Sequence, residues 1–213
     1  APLASIAETC IDLLPQKLNF ANEENKQDLH IALDTIKSRT DYLSEFIQGF
    51  REISRLPQPE LKACELTPIL QRIEQLHLQE FNEHGVNFTL DIQCQQLVML
   101  DSVQIEQVLI NLIKNALEAL NTQRTYLDTQ NQQASITITL AKNNAQQLYV
   151  QVFNSGKGIA PHVVDMIFVP FFTTKQEGSG IGLSLSKQIL INHGGDLIYI
   201  PNLKGACFRC IFG

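Results

Sequence analysis

No run of about 20 apolar residues occurs in this chain, so no segment qualifies as a transmembrane span, and no signal peptide is expected. Positive charge is scarce: 16 Lys and Arg stand against 22 Asp and Glu, for a net charge of −6. A surface of that sign offers no generic attraction to nucleic acid or anionic lipid. Neither a nucleic-acid partner nor membrane contact by this fragment is therefore expected. The five cysteines are an odd number without disulfide-like spacing, which suits a reducing cytoplasmic setting. Cys207 and Cys210 form a C-x-x-C, but on a predicted strand residues three apart face opposite sides. No second pair completes a metal site, and His77, His84 and His162 have no ligand-like spacing. Two phosphate-binding signatures are missing as well. There is no G-x-x-x-x-G-K-[ST], which removes a P-loop, and no strand–G-x-G-x-x-G–helix unit, which removes a Rossmann fold. Internal repeats are also absent.

What is present is ample apolar material, 44% of 213 residues, enough for one or two domains. The chain divides near Pro57–Pro59, which predicts domains at 1–58 and 59–213. Asn25 to Leu56 reads as one long helix. Its residues Leu29, Leu33, Ile36, Thr40, Leu43, Ile47 and Phe50 repeat in steps of four and three, a bundle seam. Upstream, Leu3, Ile6, Cys10 and Leu13 share that spacing, with a polar connection around Asn19–Glu24. Two antiparallel helices cannot bury both seams alone. A homodimeric four-helix bundle does so; the alternative is an intramolecular hairpin packed on the second domain.

The second domain reads as α/β. A helix is expected to start at Thr67–Pro68, with Thr67 as N-cap, and to end before Gly85. Strands are expected at Asn87–Cys94, Ser135–Ala141, Leu148–Phe153, Leu197–Ile200 and Ala206–Phe212. Helices at about Val103–Leu120 and Gly182–Asn192 should cover one sheet face, and Asn121–Gln133 reads as a solvated loop. The whole chain is therefore expected to be α+β: a helical hairpin followed by a two-layer α/β sandwich.

Chemistry concentrates in four segments. Gln107–Ala119 is an apolar helix that places Asn111 and Asn115 on one face, with Glu118 one turn on. Carboxamides four apart point the same way and can reach one magnesium-bound polyphosphate. In Val152–Ala160, Gly156 and Gly158 follow an alternating strand, where glycine admits unusual backbone or a close ligand. In Gly178–Leu185, glycines at 178, 180 and 182 feed a helix N-terminus, whose free N–H groups suit phosphate. Between the last two lies Ile167–Lys175, with three phenylalanines and a lysine. Each segment alone has an ordinary reading as solvated helix face, turn or core.

Their order resembles the ATP-binding domain of sensor histidine kinases, in the gyrase, Hsp90, histidine kinase and MutL superfamily with the Bergerat fold. Asn111 and Asn115 match the N box, Asn154–Gly158 the first glycine box, Phe168–Lys175 the F box and Gly178–Gly182 the second glycine box. The likeness runs from about Glu65 to Gly213. Asp34–Pro59 is similar to the second dimerisation helix of nitrogen-regulation-type kinases. The resemblance implies ATP and Mg²⁺ as cofactors, with Asn115 the metal ligand and Asn111 on the triphosphate. Asn154, Gly156, Gly158 and Ile159 would line the adenine end. Phe168, Thr174 and Lys175 would belong to the mobile loop, Lys175 as counter-charge. Gly178, Ser179, Gly180, Ile181, Gly182 and Leu183 would cradle phosphate. Glu118 either polarises a magnesium-bound water or is merely solvated.

Two departures carry meaning. The family's usual aspartate at the adenine amino group is Asn154 here, which predicts weakened rather than abolished binding, since charge assistance is lost. ATP-hydrolysing relatives carry a glutamate at the position of Asn111. An amide cannot act as a general base, so phosphoryl transfer to a histidine, then to an aspartate of a response-regulator receiver domain, fits better than hydrolysis. Ala1–Ile6 resembles the tail of the phosphoacceptor pattern, whose histidine would lie roughly two helical turns upstream. The chain is thus expected to be the cytoplasmic portion of an inner-membrane sensor kinase, unable to phosphorylate itself as it stands. His30, on the second helix and followed by Ile31, reads as an exposed helical histidine. His193 reads as structural, near a helix C-terminus. A degenerate nucleotide-binding module without chemistry is the alternative function.

Overall fold

The computed structural model describes residues 23–54, 56–122, 133–175, 178–202 and 204–213. The expected first helix around Leu3–Leu13, and most of the polar stretch Asn121–Gln133, lie outside the described residues. The chain falls into two compact units. Leu56–Thr174 and Gly180–Gly213 form the second, while Lys175, Gly178 and Ser179 group with the first.

The first unit contains α1, Glu23–Ser54, a 32-residue helix. Thr35 and Thr40, poor helix formers, bond their hydroxyls back to the carbonyls of Ile31 and Ile36 at 2.7 Å. The seam residues Ile36, Leu43 and Ile47 stand 51%, 52% and 44% exposed. His30 is half-buried, not exposed as expected.

The second unit begins with strand β1, Lys62–Glu65, which pairs antiparallel with β3, Leu97–Leu100. Neither strand was expected, because a four-residue run is too short to show a period. Helix α2, Leu66–Glu83, starts directly from β1. Its N-cap is Glu65 without a side-chain cap, so the expected cap at Thr67 is incorrect. Leu66 is 1% exposed, and seating it in the core turns the chain into helix two residues early.

A five-stranded sheet follows, in the order β2 (Asn87–Ile92), β4 (Ser135–Lys142), β5 (Leu148–Ser155), β7 (Gly205–Ile211), β6 (Asp196–Tyr199). The β2–β4 pair is parallel and the others antiparallel. Alternation on the central strand sorts the two faces. Leu148, Val150, Val152 and Asn154 are buried, whereas Tyr149, Gln151 and Phe153 are half-buried on the other side. Helices α2, α3 (Ser102–Thr122) and α4 (Gly182–Asn192) cover the buried face, giving the expected two-layer sandwich. In α3, Ile105, Val108, Leu109, Leu112, Ile113 and Leu117 are each at most 2% exposed. Each such burial contributes roughly 1.5–3 kcal/mol of transfer free energy. Strand β5 runs two residues further than expected and takes Asn154 and Ser155 into the sheet, because Asn154 pairs with Ile136 on one side and Ala206 on the other. A 3-10 turn at Pro161–Met166 follows the first glycine segment.

Candidate functional site

The apolar stripe of α3 fixes which way its polar face looks. With Leu112, Ile113 and Ala116 in the core, Asn111 and Asn115 are left half-buried at its margin and Glu118 exposed. Asn111 donates from Nδ2 to Ser186 Oγ at 2.9 Å. One turn before Ser186, Gly182 opens α4, and a Cβ there would run into the Asn111 carboxamide. The two helices therefore meet where the N-terminus of α4 faces the Asn111 side chain. Ile181, the N-cap, makes no side-chain cap bond. The first N–H groups of α4 are thus not taken by a cap, which favours an anion at that end. Ile181 is buried and Leu183 half-buried.

The neighbouring loop is tied back at one point. Phe171 N–H donates to Gly180 O at 2.9 Å. Gly180 has a φ of +68°, and a Cβ on it would sit 2.5 Å from the Phe171 carbonyl carbon. Phe171 shares the φ of +68°, which for a bulky residue costs of order 1–3 kcal/mol. Phe168 packs edge-on against Phe208 at 6.3 Å, under the Lys187 ammonium at 4.8 Å from the ring centre. Lys187 in turn binds Asp196 at 2.5 Å and the Leu197 carbonyl at 2.9 Å. These are the surroundings of an anchor at the base of the loop. Thr174 is exposed at its end.

At the end of β5, Asn154 is 5% exposed and turned to the helix-covered face. Ser155 Oγ accepts the Ser135 N–H at 2.8 Å. The glycine turn then rests on the β6–β7 hairpin. Gly156 N–H reaches Lys204 O at 3.4 Å, and Ile159 N–H reaches the Tyr199 hydroxyl at 3.4 Å. A Cβ on Gly158 would stand 2.9 Å from Gly205 O, so close backbone approach accounts for that glycine. The second unit thus collects Asn111, Asn115, Ile181, Gly182 and Leu183 around the α3–α4 contact, and Asn154, Gly156, Gly158 and Ile159 at the β5 end.

Two supporting residues were not foreseen. Ser186, 2% exposed, orients Asn111; a hydroxyl on the buried side of an apolar helix was the only signal. Asp101 precedes α3 and accepts the Val103 and Gln104 N–H groups through Oδ1 at 3.0 and 3.2 Å. An aspartate directly before an apolar-periodic segment is a legible cap signal. Partial burial acts to raise its carboxyl pKa. Backbone N–H bonds from Glu60, Gln104 and Val103 outweigh that and hold it below the usual carboxylate range. His193 accepts the Asp101 N–H at Nε2, 3.0 Å, and donates from Nδ1 to Ile189 O at 2.7 Å, the structural role expected of it.

The Cys207–Cys210 pair is divided by its strand. Cys207 pairs with Phe153 and Cys210 with Val150, on opposite faces of β7. Burial pushes the Cys210 thiol up to about 12 and raises that of Cys207, which suppresses the reactive thiolate. Among the described residues no group of three or more His, Cys, Asp or Glu could hold a metal ion. Among them, too, no helix is long and apolar enough to cross a membrane.

Residues 100–212, more than half of the chain, match the family of histidine kinase-, DNA gyrase B- and HSP90-like ATPases, and the chain belongs to that family. Its relatives include the sensor protein FixL of Bradyrhizobium diazoefficiens, 31% identical over 192 residues, which are 89% of this chain and 36% of FixL. The chain thus spans about a third of the length of the curated relatives it matches. The nucleotide-free catalytic domain of histidine kinase ThkA is 29% identical with a TM-score of 0.61, covering 72% of this chain and 95% of that one. ThkA in complex with the response regulator protein TrrA shares the fold at 23% identity and a TM-score of 0.65, over 98% of this chain and 56% of that one.

Proposed function

We propose that this chain is the catalytic core of a sensor histidine kinase, which binds Mg·ATP and passes the γ-phosphoryl group to a histidine side chain and then to an aspartate of a response-regulator receiver domain. The observation that carries the reading is the contact of Asn111 with Gly182 and Ser186 at the start of α4. It joins a helix N-terminus suited to phosphate with the carboxamide face that extends to Asn115. The oxygen donors there suit a hard cation, so Asn115 Oδ1 would hold Mg²⁺, which supplies neutralisation of phosphate charge. Asn111 binds the triphosphate; as an amide it cannot take a proton from water, which favours transfer over hydrolysis. Catalysis of this kind is positioning and charge neutralisation rather than covalent chemistry by the protein.

In this reading residues 1–58 form the dimerisation and phosphotransfer helices and 59–213 the ATP-binding domain. The exposed Ile36, Leu43 and Ile47 support a homodimer in which a four-helix bundle covers the seam. The complex of ThkA with TrrA supports a receiver domain as partner. A second reading, a nucleotide-binding module without chemistry, rests on Asn154 in place of the charged adenine partner. The test is calorimetric titration of the chain and of Asn115→Ala with Mg·ATP. The substitution should abolish magnesium-dependent binding, and unchanged affinity would remove Asn115 from the site.

A further inference from the structure

Both ends of α4 are tied to neighbouring elements within the second unit. Its first residue, Gly182, lies against Asn111. Its C-cap, His193, is 7% exposed, and the bonds to Ile189 O and from the Asp101 N–H fix the neutral tautomer with the proton on Nδ1. Asp101 continues the connection, since its Oδ2 accepts the Glu60 N–H at 3.1 Å. Gln104, one turn into α3, donates from Nε2 to Pro57 O at 3.1 Å. Residues 57–60 lead in chain order from the end of α1 to β1. They are thus strapped to the start of α3 by two hydrogen bonds and, through Asp101 and His193, to α4.

We propose that Asp101 and His193 are positioning residues that couple the seating of α4, and with it the phosphate end at Gly182, to the strap at Pro57–Glu60. The proposal rests on the nucleotide-binding reading above. An 11-residue helix is a rigid rod about 16 Å long, so a shift at one end is carried to the other. The Asp101–His193 bond is 3.0 Å long and tolerates little displacement before it ceases to be a hydrogen bond. Gln104 Oε1 is buried with no partner among the described residues. Release of Pro57 would let water reach that oxygen and offset part of the loss. Coupling by this route needs an element with two arrangements.

The test is amide exchange at Glu60 in the 213-residue chain, with and without saturating Mg·ADP, beside calorimetry on the same samples. Asp101→Asn is the informative variant. Its remaining oxygen can still cap α3, where Asn caps as well as Asp, but its amide group cannot accept the Glu60 N–H. In the parent chain ADP should slow Glu60 exchange by about fivefold, the lower end of ordinary coupling between sites. Asp101→Asn should abolish the nucleotide effect and weaken ADP binding by the same factor, as reciprocity requires. Gln104→Leu, which removes the other strap bond together with the orphaned oxygen, should reduce the effect without loss of stability. Heat of ADP binding with no change at Glu60 would overturn the coupling and leave the nucleotide reading intact. Absence of any binding heat would overturn both.

Discussion

Replacing Gly182 with alanine sets two local effects against each other. Alanine is the better helix former by about 1 kcal/mol in a helix interior, and by less at a first turn. Gly182 does not have a positive φ, so the backbone accepts a side chain. The new methyl group, however, would occupy the position of the Asn111 carboxamide. Asn111 must rotate away, which breaks its bond to Ser186 Oγ and leaves that 2% exposed hydroxyl without its donor. The orphaned hydroxyl costs about 1–3 kcal/mol, and residual crowding costs up to a similar amount. The penalties exceed the helix gain, so the melting temperature should fall by a few degrees, given about 2–4 °C per kcal/mol for a protein of this size. Nucleotide affinity should fall as well, because the rotation displaces the carboxamide that the proposed function places on the triphosphate. A loss of at least tenfold, about 1.4 kcal/mol, is expected in calorimetric titration with Mg·ADP. A raised melting temperature with undiminished affinity would refute the Gly182–Asn111 contact as part of a nucleotide site.

Charged substitutions at Leu43 and Ile47 should dissociate the proposed dimer, since burial of an unpaired charge costs several kcal/mol; light scattering would then report 23.9 kDa, and a parent chain already at that mass would rule out the bundle. Asn154→Asp should tighten Mg·ADP binding by roughly 1 kcal/mol if it restores a charge-assisted bond to the adenine amine, and equal calorimetric affinities would mean that the pocket already compensates for the amide. Asp101 has a depressed carboxyl pKa, so its contribution to stability is complete above the unfolded value of about 3.9 and is lost as pH falls through the lower folded value. Urea midpoints measured across that range should drop less steeply for Asp101→Asn than for the parent chain, and parallel slopes would contradict the assignment.

Long periodic segments were legible in the sequence because their pattern is local. The apolar stripe of α3 already placed Asn111 and Asn115 together on its margin, and the alternation of β4 and β5 already assigned one face to the core. Glycine spacing before α4 likewise marked a phosphate-suited turn without any knowledge of its neighbours. Strands β1 and β3, at four residues each, were too short to carry a period, and pairing between residues 62 and 100 has no local signature. The Thr67 cap failed because burial of Leu66 outweighed a preference of the helix end. What the tertiary structure alone decided are the contacts between distant segments: Ser186 on Asn111, Gly180 on Phe171, Asp101 between His193 and Glu60. Propensity and periodicity act over a few residues of chain, whereas these bonds join groups up to 92 positions apart and exist only once packing of α3 and α4 on the sheet has set their distance.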